Sequence, residues 1–192
     1  TANMIENRTE VLLGDAAPAA GETVFNVGAL DASALDSSFI GSLAGNVAVG
    51  SKAAMGAAIS YNEIGNITAV TADGIEVDAD GITRFDARNN ARIISGAIAG
   101  SVGSNAAVSG SFAWSEIGNT TESILRNSLV QGDGLGVYAG SGSDIFTLSG
   151  SVAVSSTAGI GAAINIADIG DRTEARIEDS GVEVGGDIEV TA

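Results

Sequence analysis

A six-residue phrase returns four times in this chain at near-constant spacing, and that return limits the fold more than any single residue does. The copies read Ile5-Glu6-Asn7-Arg8-Thr9-Glu10, Ile64-Gly65-Asn66-Ile67-Thr68-Ala69, Ile117-Gly118-Asn119-Thr120-Thr121-Glu122 and Ile169-Gly170-Asp171-Arg172-Thr173-Glu174. Their leading isoleucines are separated by 64 − 5 = 59, 117 − 64 = 53 and 169 − 117 = 52 residues. A period of that size marks a repeat architecture, in which each unit buries its apolar face only by stacking on its neighbours. Function is therefore sought in a repeated surface before a unique pocket.

Within each unit the alternation is that of strands. Five residues before each repeated isoleucine stand Ile59, Phe112 and Ile164; three before, Tyr61, Trp114 and Ile166; one before, Glu63, Glu116 and Asp168. Ser60, Ala113 and Asn165, with Asn62, Ser115 and Ala167, occupy the places between. Period two puts large side chains on one face of a strand and small or polar ones on the other. The expectation is that the large face, Tyr61 and Trp114 included, fills the core and that the acid reaches solvent at a corner. A helix over residues 53–59 is disfavoured by Gly56, with Gly110 and Gly161 aligned to it if the second unit is one residue short before Ile117.

Further on, Ile75, Val77 and Ala79 bracket Glu76 and Asp78, and Val182 and Val184 bracket Glu183, giving strands with apolar residues inside and acids outside. Asn66, Asn119 and Asp171 read as corner residues tolerant of left-handed backbone and bonded to their own main chain. The units run approximately over 1–41 (partial), 42–95, 96–147 and 148–192. No linker composition separates them, so the whole chain reads as a single β-solenoid segment. If each unit winds as two or three coils, the expected rod is roughly 35 to 50 Å long at ~4.8 Å per coil.

Composition narrows the chemistry. With 27 glycines, one proline (Pro18) and 4% aromatic residues, the chain suits a thin core of Val, Ile and Ala. A net charge of −16 disfavours nucleic acid and anionic membranes unless a local basic patch exists, and the sequence shows none. The absence of Cys and His removes structural zinc, blue copper and iron–sulfur ligation, leaving oxygen-bound hard cations. No run reaches 18 apolar residues, and no basic stretch followed by an apolar one opens the chain, so the reading is a soluble piece with no membrane insertion. The likeness of residues 187–192 to 74–79, where the earlier copy runs on into another strand, reads as the cut edge of a longer protein.

The stretches from Gly56-Ala57-Ala58-Ile59 to Thr68 and from Gly161-Ala162-Ala163-Ile164 to Thr173, with Gly186-Asp187-Ile188-Glu189-Val190-Thr191-Ala192, carry a family likeness. They resemble the repeats of filamentous-haemagglutinin-like and leukotoxin-type filamentous adhesins, bacterial exoproteins exported by two-partner or related secretion routes. The resemblance covers most of the chain, although Glu6 stands where the other copies of the phrase have glycine. It implies an all-β, right-handed parallel β-helix used as a stalk or adhesive shaft at the bacterial surface, engaging a host-cell, glycan or other cell-surface receptor. It names no catalytic residue, and no cofactor or reaction is expected.

Three alternatives rest on particular residues. Residues 139–147 resemble one calcium-binding nonapeptide, with Asp144 as the candidate ligand, but calcium needs two adjacent motifs and a plain glycine corner is the expectation. Asp73, Asp78, Asp80 and Asp86 with Arg84 and Arg88 could form a polysaccharide-processing groove, against the simpler reading of a solvated acidic face. Tyr61 and Trp114, with Phe112, could stack on sugar rings if their face were outward. A carbohydrate-binding or polysaccharide-processing β-helix is therefore the alternative function. Open coil ends are expected to permit end-to-end self-association.

Overall fold

The structure, a computed structural model, describes residues 1–14 and 23–192, and among these every regular element is a β-strand. Pro18 lies outside the described residues. The first coil contains β1 (Ala2–Ile5), β2 (Arg8–Gly14), β3 (Thr23–Val27) and β4 (Leu30–Gly50). The second contains β5 (Ala53–Ile64), β6 (Ile67–Asp73), β7 (Ile75–Ala79) and β8 (Ile82–Gly103). The third contains β9 (Ala106–Ile117), β10 (Thr120–Arg126), β11 (Leu129–Gly132) and β12 (Gly134–Ser155). β13 (Ala158–Ile169), β14 (Arg172–Glu178), β15 (Gly181–Val184) and β16 (Ile188–Thr191) make the fourth. Each of four sheets takes one strand from every coil, in the orders β1-β5-β9-β13, β14-β10-β6-β2, β15-β11-β7-β3 and β16-β12-β8-β4. All described pairings are parallel. The molecule is a parallel β-solenoid, and among its described residues no helix is long and apolar enough to cross a membrane.

Ile5 pairs with Ile64, Ile64 with Ile117 and Ile117 with Ile169, so the repeated phrase holds one place on successive coils. One circuit thus takes a whole unit, which corrects the expectation of two or three coils per unit. The reason is that β8 and β12 each run 22 residues where the sequence suggested corners. Three steps of ~4.8 Å separate the first coil from the fourth, about 14 Å in place of the longer rod. Register is also ungapped: Gly56 and Gly161 both align with Ser109, while Gly110 stands opposite Ala57 and Ala162.

The cross-section has a thick end and a thin one. At the thick end the sheets of β6 and β7 and the first half of β8 enclose Val70, Ile75, Val77, Phe85, Leu125, Val130 and Val137. β7 alternates as its sequence predicts, with Ile75, Val77 and Ala79 buried and Asp78 exposed. The turn leaving the second sheet is left-handed at Gly74 (φ 65°), Asn127 (φ 52°) and Asp179 (φ 45°), residue types that bear that conformation at least steric cost.

At the thin end the second halves of β4, β8 and β12 double back onto β5, β9 and β13 as a slab two layers deep. Its interior is Ala44, Ala58, Ala97, Ala99 and Ala113, with hydroxyl pairs Ser42–Ser60 (3.1 Å) and Ser95–Ser115 (2.9 Å) bridging the layers. There is no room for more. A Cβ on Gly56 would stand 2.5 Å from the carbonyl oxygen of Gly100 in the facing layer. The large side chains of these alternating strands therefore point outward and the small ones inward, the reverse of the sequence expectation. Ser60, Asn62, Ala113 and Ser115 are fully buried, whereas Met55 is 78% and Ile164 55% exposed.

Candidate functional site

On the outer face of the sheet of β5, β9 and β13, register aligns Ile59, Phe112 and Ile164, then Tyr61, Trp114 and Ile166, then Glu63, Glu116 and Asp168. Tyr61 and Trp114 are each tied by a polar tip to the acid two residues along the same strand. Tyr61 Oη donates to Glu63 Oε2 at 2.7 Å, and Trp114 Nε1 donates to Glu116 Oε2 at 3.4 Å. The Phe112 and Trp114 ring centres lie 6.4 Å apart, tilted by 40°. The hydrogen bond to Glu63, then desolvation, raises the Tyr61 phenol above its ordinary value. Tyr61 and Trp114 do not fill core sites, contrary to the sequence expectation: they are half-buried in an outward strip, because the slab interior has room only for alanine and serine. Such a strip offers flat π faces to apolar groups and carboxylate oxygens to hydroxyl donors.

A second row lies outward on β8: Arg84, Asp86, Arg88, Asn90 and Arg92, holding three of the eight basic residues. No run of basic residues marks this row in the sequence, yet the even spacing of positions 84, 88 and 92 is the signal that one strand face collects them. The row is mixed in sign. Arg88 Nε donates to Asp86 Oδ1 at 2.9 Å, and the register neighbours of Arg84 and Arg92 are Asp31 and Asp144. On β12, Tyr138 lies under the Arg84 guanidinium, 5.4 Å from ring centre to carbon, and donates to Glu189 Oε2 at 2.8 Å. Gly140 and Gly142, beside Arg88 and Asn90, floor a shallow trough of about 390 Å³.

No family model, curated protein or solved structure matches the chain. Its surfaces are read from their own chemistry. Asp144 sits in the straight run of β12 beside Arg92, so residues 139–147 form neither a calcium-type turn nor the expected glycine corner. Among the described residues no three acidic side chains gather to hold a metal ion. The imagined acidic groove is also dispersed. Asp73 ends β6, accepting from Asn127 at 2.9 Å and paired with Arg126 at 2.9 Å, which together hold its carboxyl below the ordinary range. Asp78 faces out from β7, Asp80 follows it, and Asp86 pairs with Arg88 on β8.

The Asn66, Asn119 and Asp171 column proves structural by a different route from the one the sequence suggested. None of the three has left-handed backbone. Asn66 Oδ1 accepts the backbone N–H of Asn7 (3.0 Å), Asn119 Oδ1 that of Asn66 (3.1 Å), and Asp171 Oδ1 that of Asn119 (3.0 Å). Asn66 Nδ2 meanwhile donates to Asp36 Oδ1 (2.8 Å) and Ser38 Oγ (2.9 Å), partnering a buried carboxylate. The column locks each coil to the next.

Proposed function

We propose that the chain is a structural and adhesive shaft segment of a secreted or surface-anchored bacterial exoprotein, attaching to a host-cell, glycan or other cell-surface receptor and carrying out no reaction. The exoprotein setting rests on the family resemblance of the repeated phrases. The adhesive role rests on one observation: Tyr61 and Trp114 stand outward in adjacent coils, each fixed by a hydrogen bond to its own glutamate. Rings held in this way lose little freedom on contact and carry a large share of binding energy where they are covered. A glycan receptor is the favoured class, because ring faces stack on sugar CH groups while Glu63 and Glu116 accept hydroxyls.

Trp114 is the only tryptophan, so its emission reports on this strip directly. Labelled protein is expected to bind epithelial cells and a subset of a glycan array with a shift in that emission. The Tyr61→Ala/Trp114→Ala double variant is expected to bind at least about tenfold more weakly with an unchanged melting curve. Binding retained in that variant would move attachment off the strip; binding to neither surface would remove the adhesive reading. Loss of binding on enzymatic deglycosylation of the cells separates a glycan from a protein receptor.

A further inference from the structure

The arginine row of β8 lies between two aromatic rings that lean apart. Tyr138 on β12 folds back over Gly136, where a Cβ would stand 2.3 Å from its Cε2, and is held there between Arg84 and Glu189. Phe39 on β4 folds the other way, against Gly41, where a Cβ would stand 3.2 Å from its Cε1. Two register columns between the rings stay low: Leu35, Arg88, Gly140, then Ser37, Asn90, Gly142. A Cβ at Gly140 would meet no atom within 4 Å, and Gly140 does not have positive φ. Neither packing nor backbone geometry calls for glycine there, and its effect is to keep the surface open. A hollow of about 530 Å³ walled by Phe39, Arg92, Asp144 and Asn90 joins the trough over Gly140 at Asn90 and Gly142. From the column of Tyr138 to that of Asp144 the groove spans 144 − 138 = 6 residues, about 20 Å. Its polar groups are oriented but not used up. The bond from Arg88 Nε to Asp86 Oδ1 fixes the guanidinium and leaves its terminal nitrogens without a partner among the described residues. Arg92 makes no ion pair among the described residues, although acids outnumber bases 24 to 8 and Asp144 is its register neighbour.

We infer that this groove binds an uncharged oligosaccharide, one sugar ring stacked on Phe39 and its hydroxyls shared among Asn90, Arg92 and Asp144, with the next sugar reaching Arg88. Charge selects that class first. Arg88 and Arg92 face Asp86 and Asp144, two of each sign, so the walls carry no net charge and set donors beside acceptors, the pattern that neighbouring sugar hydroxyls satisfy. Phe39 selects it second: 59% exposed, it puts a flat apolar face among polar groups, as the CH side of a sugar ring requires. The strands select it third. β8 is paired on both sides, by β4 and β12, so an extended peptide finds no free edge to join. A phosphate backbone is repelled by a chain at −16. The groove lies on a different sheet from the aromatic strip of β5, β9 and β13, and binding in it stands or falls apart from binding there.

The test is saturation-transfer NMR of the whole chain with about 1 to 10 mM sugar, a range that detects the weak binding of an open groove. The probes are uncharged oligomers of glucose, galactose, mannose and N-acetylglucosamine, beside an oligogalacturonate. Transfer to at least one uncharged oligomer is expected. Its affinity should fall at least about tenfold in Phe39→Ala and in the Asn90→Ala/Arg92→Ala double variant, and should be kept in Phe39→Tyr, which retains the ring. Circular dichroism melting shows which variants are folded, and either folded loss variant alone decides. Raising salt from about 0.01 M to about 0.1 M should not weaken the binding, because an uncharged ligand is not screened. Trp114 emission should not change, because that ring lies on the other sheet. Transfer to none of the uncharged oligomers overturns the inference. So does binding that persists in the folded loss variants, or a preference for the galacturonate that fades with salt. A signal lost only in the Tyr61→Ala/Trp114→Ala variant also overturns it and assigns the sugar to the aromatic strip, leaving the proposed function in place. Groove binding with no Trp114 response and no cell attachment supports the groove while removing the strip.

Discussion

Tyr61 and Tyr138 are the two tyrosines of the chain, and each donates its hydroxyl to a glutamate: Glu63 on the same strand, and Glu189 one coil away. Those hydrogen bonds come first among the causes that raise both phenols, with desolvation second. A raised phenol favours its neutral form in the folded chain. The corresponding stabilisation is fully present below the ordinary value near 10 and is lost as pH rises through the higher folded value. An ultraviolet absorbance titration of the native protein is expected to show both tyrosines ionising above about 10. Glu63→Gln should bring Tyr61 down and leave Tyr138 in place; two unperturbed transitions in the native chain would show that neither bond persists in solution.

Among the elements, strand identity was legible and its facing was not. The alternation around Ile59, Tyr61 and Glu63 announced a strand, and its counterparts in β9 and β13 announced the same register, because period two survives any environment. Alternation does not say which side is inside. The habit of burying the large face fails here because two layers meet at alanine and serine distance, and that distance is set by β8 returning along β9, a long-range fact. For β7 the same habit succeeds, since Ile75 and Val77 border the thick end where Phe85 fits. The asparagine column was visible as a repeat, yet its role needed the stacking partner to be known. Its strength can be measured. Asn66→Ala removes the acceptor for the Asn7 N–H and both donors to Asp36 and Ser38. The Asp36 carboxylate keeps Ser38 Oγ and Asn7 Nδ2 as donors, so the main loss is one hydrogen bond to a buried charged group, about 1.5–3 kcal/mol, and denaturant unfolding is expected to show a loss of about 2 kcal/mol. A loss within about 0.5 kcal/mol, the range of surface changes, would mean that the column does not hold the coils together.

At the scale of the whole molecule, parallel in-register stacking places like residues over like, and the acids are no exception. Glu63, Glu116 and Asp168 follow one another on adjacent strands, about 4.8 Å apart, in a chain already at −16. Their mutual repulsion is a cost of the architecture that salt relieves. Raising ionic strength from about 0.01 M to about 0.1 M shortens the screening length from ~30 Å to ~10 Å, and the melting temperature is expected to rise with it. A melting temperature that falls over this range would show that the exposed ion pairs, such as Arg176 between Glu174 and Glu178, outweigh the ladders.

The breadth of each circuit also sets how such a body answers tension. Ile117 and Ile169 are register partners 169 − 117 = 52 residues apart, so a circuit adds only ~4.8 Å of height. Peeled away, the same circuit yields about 170 Å of extended chain. Traction would meet a broad ladder of hydrogen bonds that parts strand by strand, and each circuit surrendered would lengthen the tether more than thirtyfold over the height it had filled.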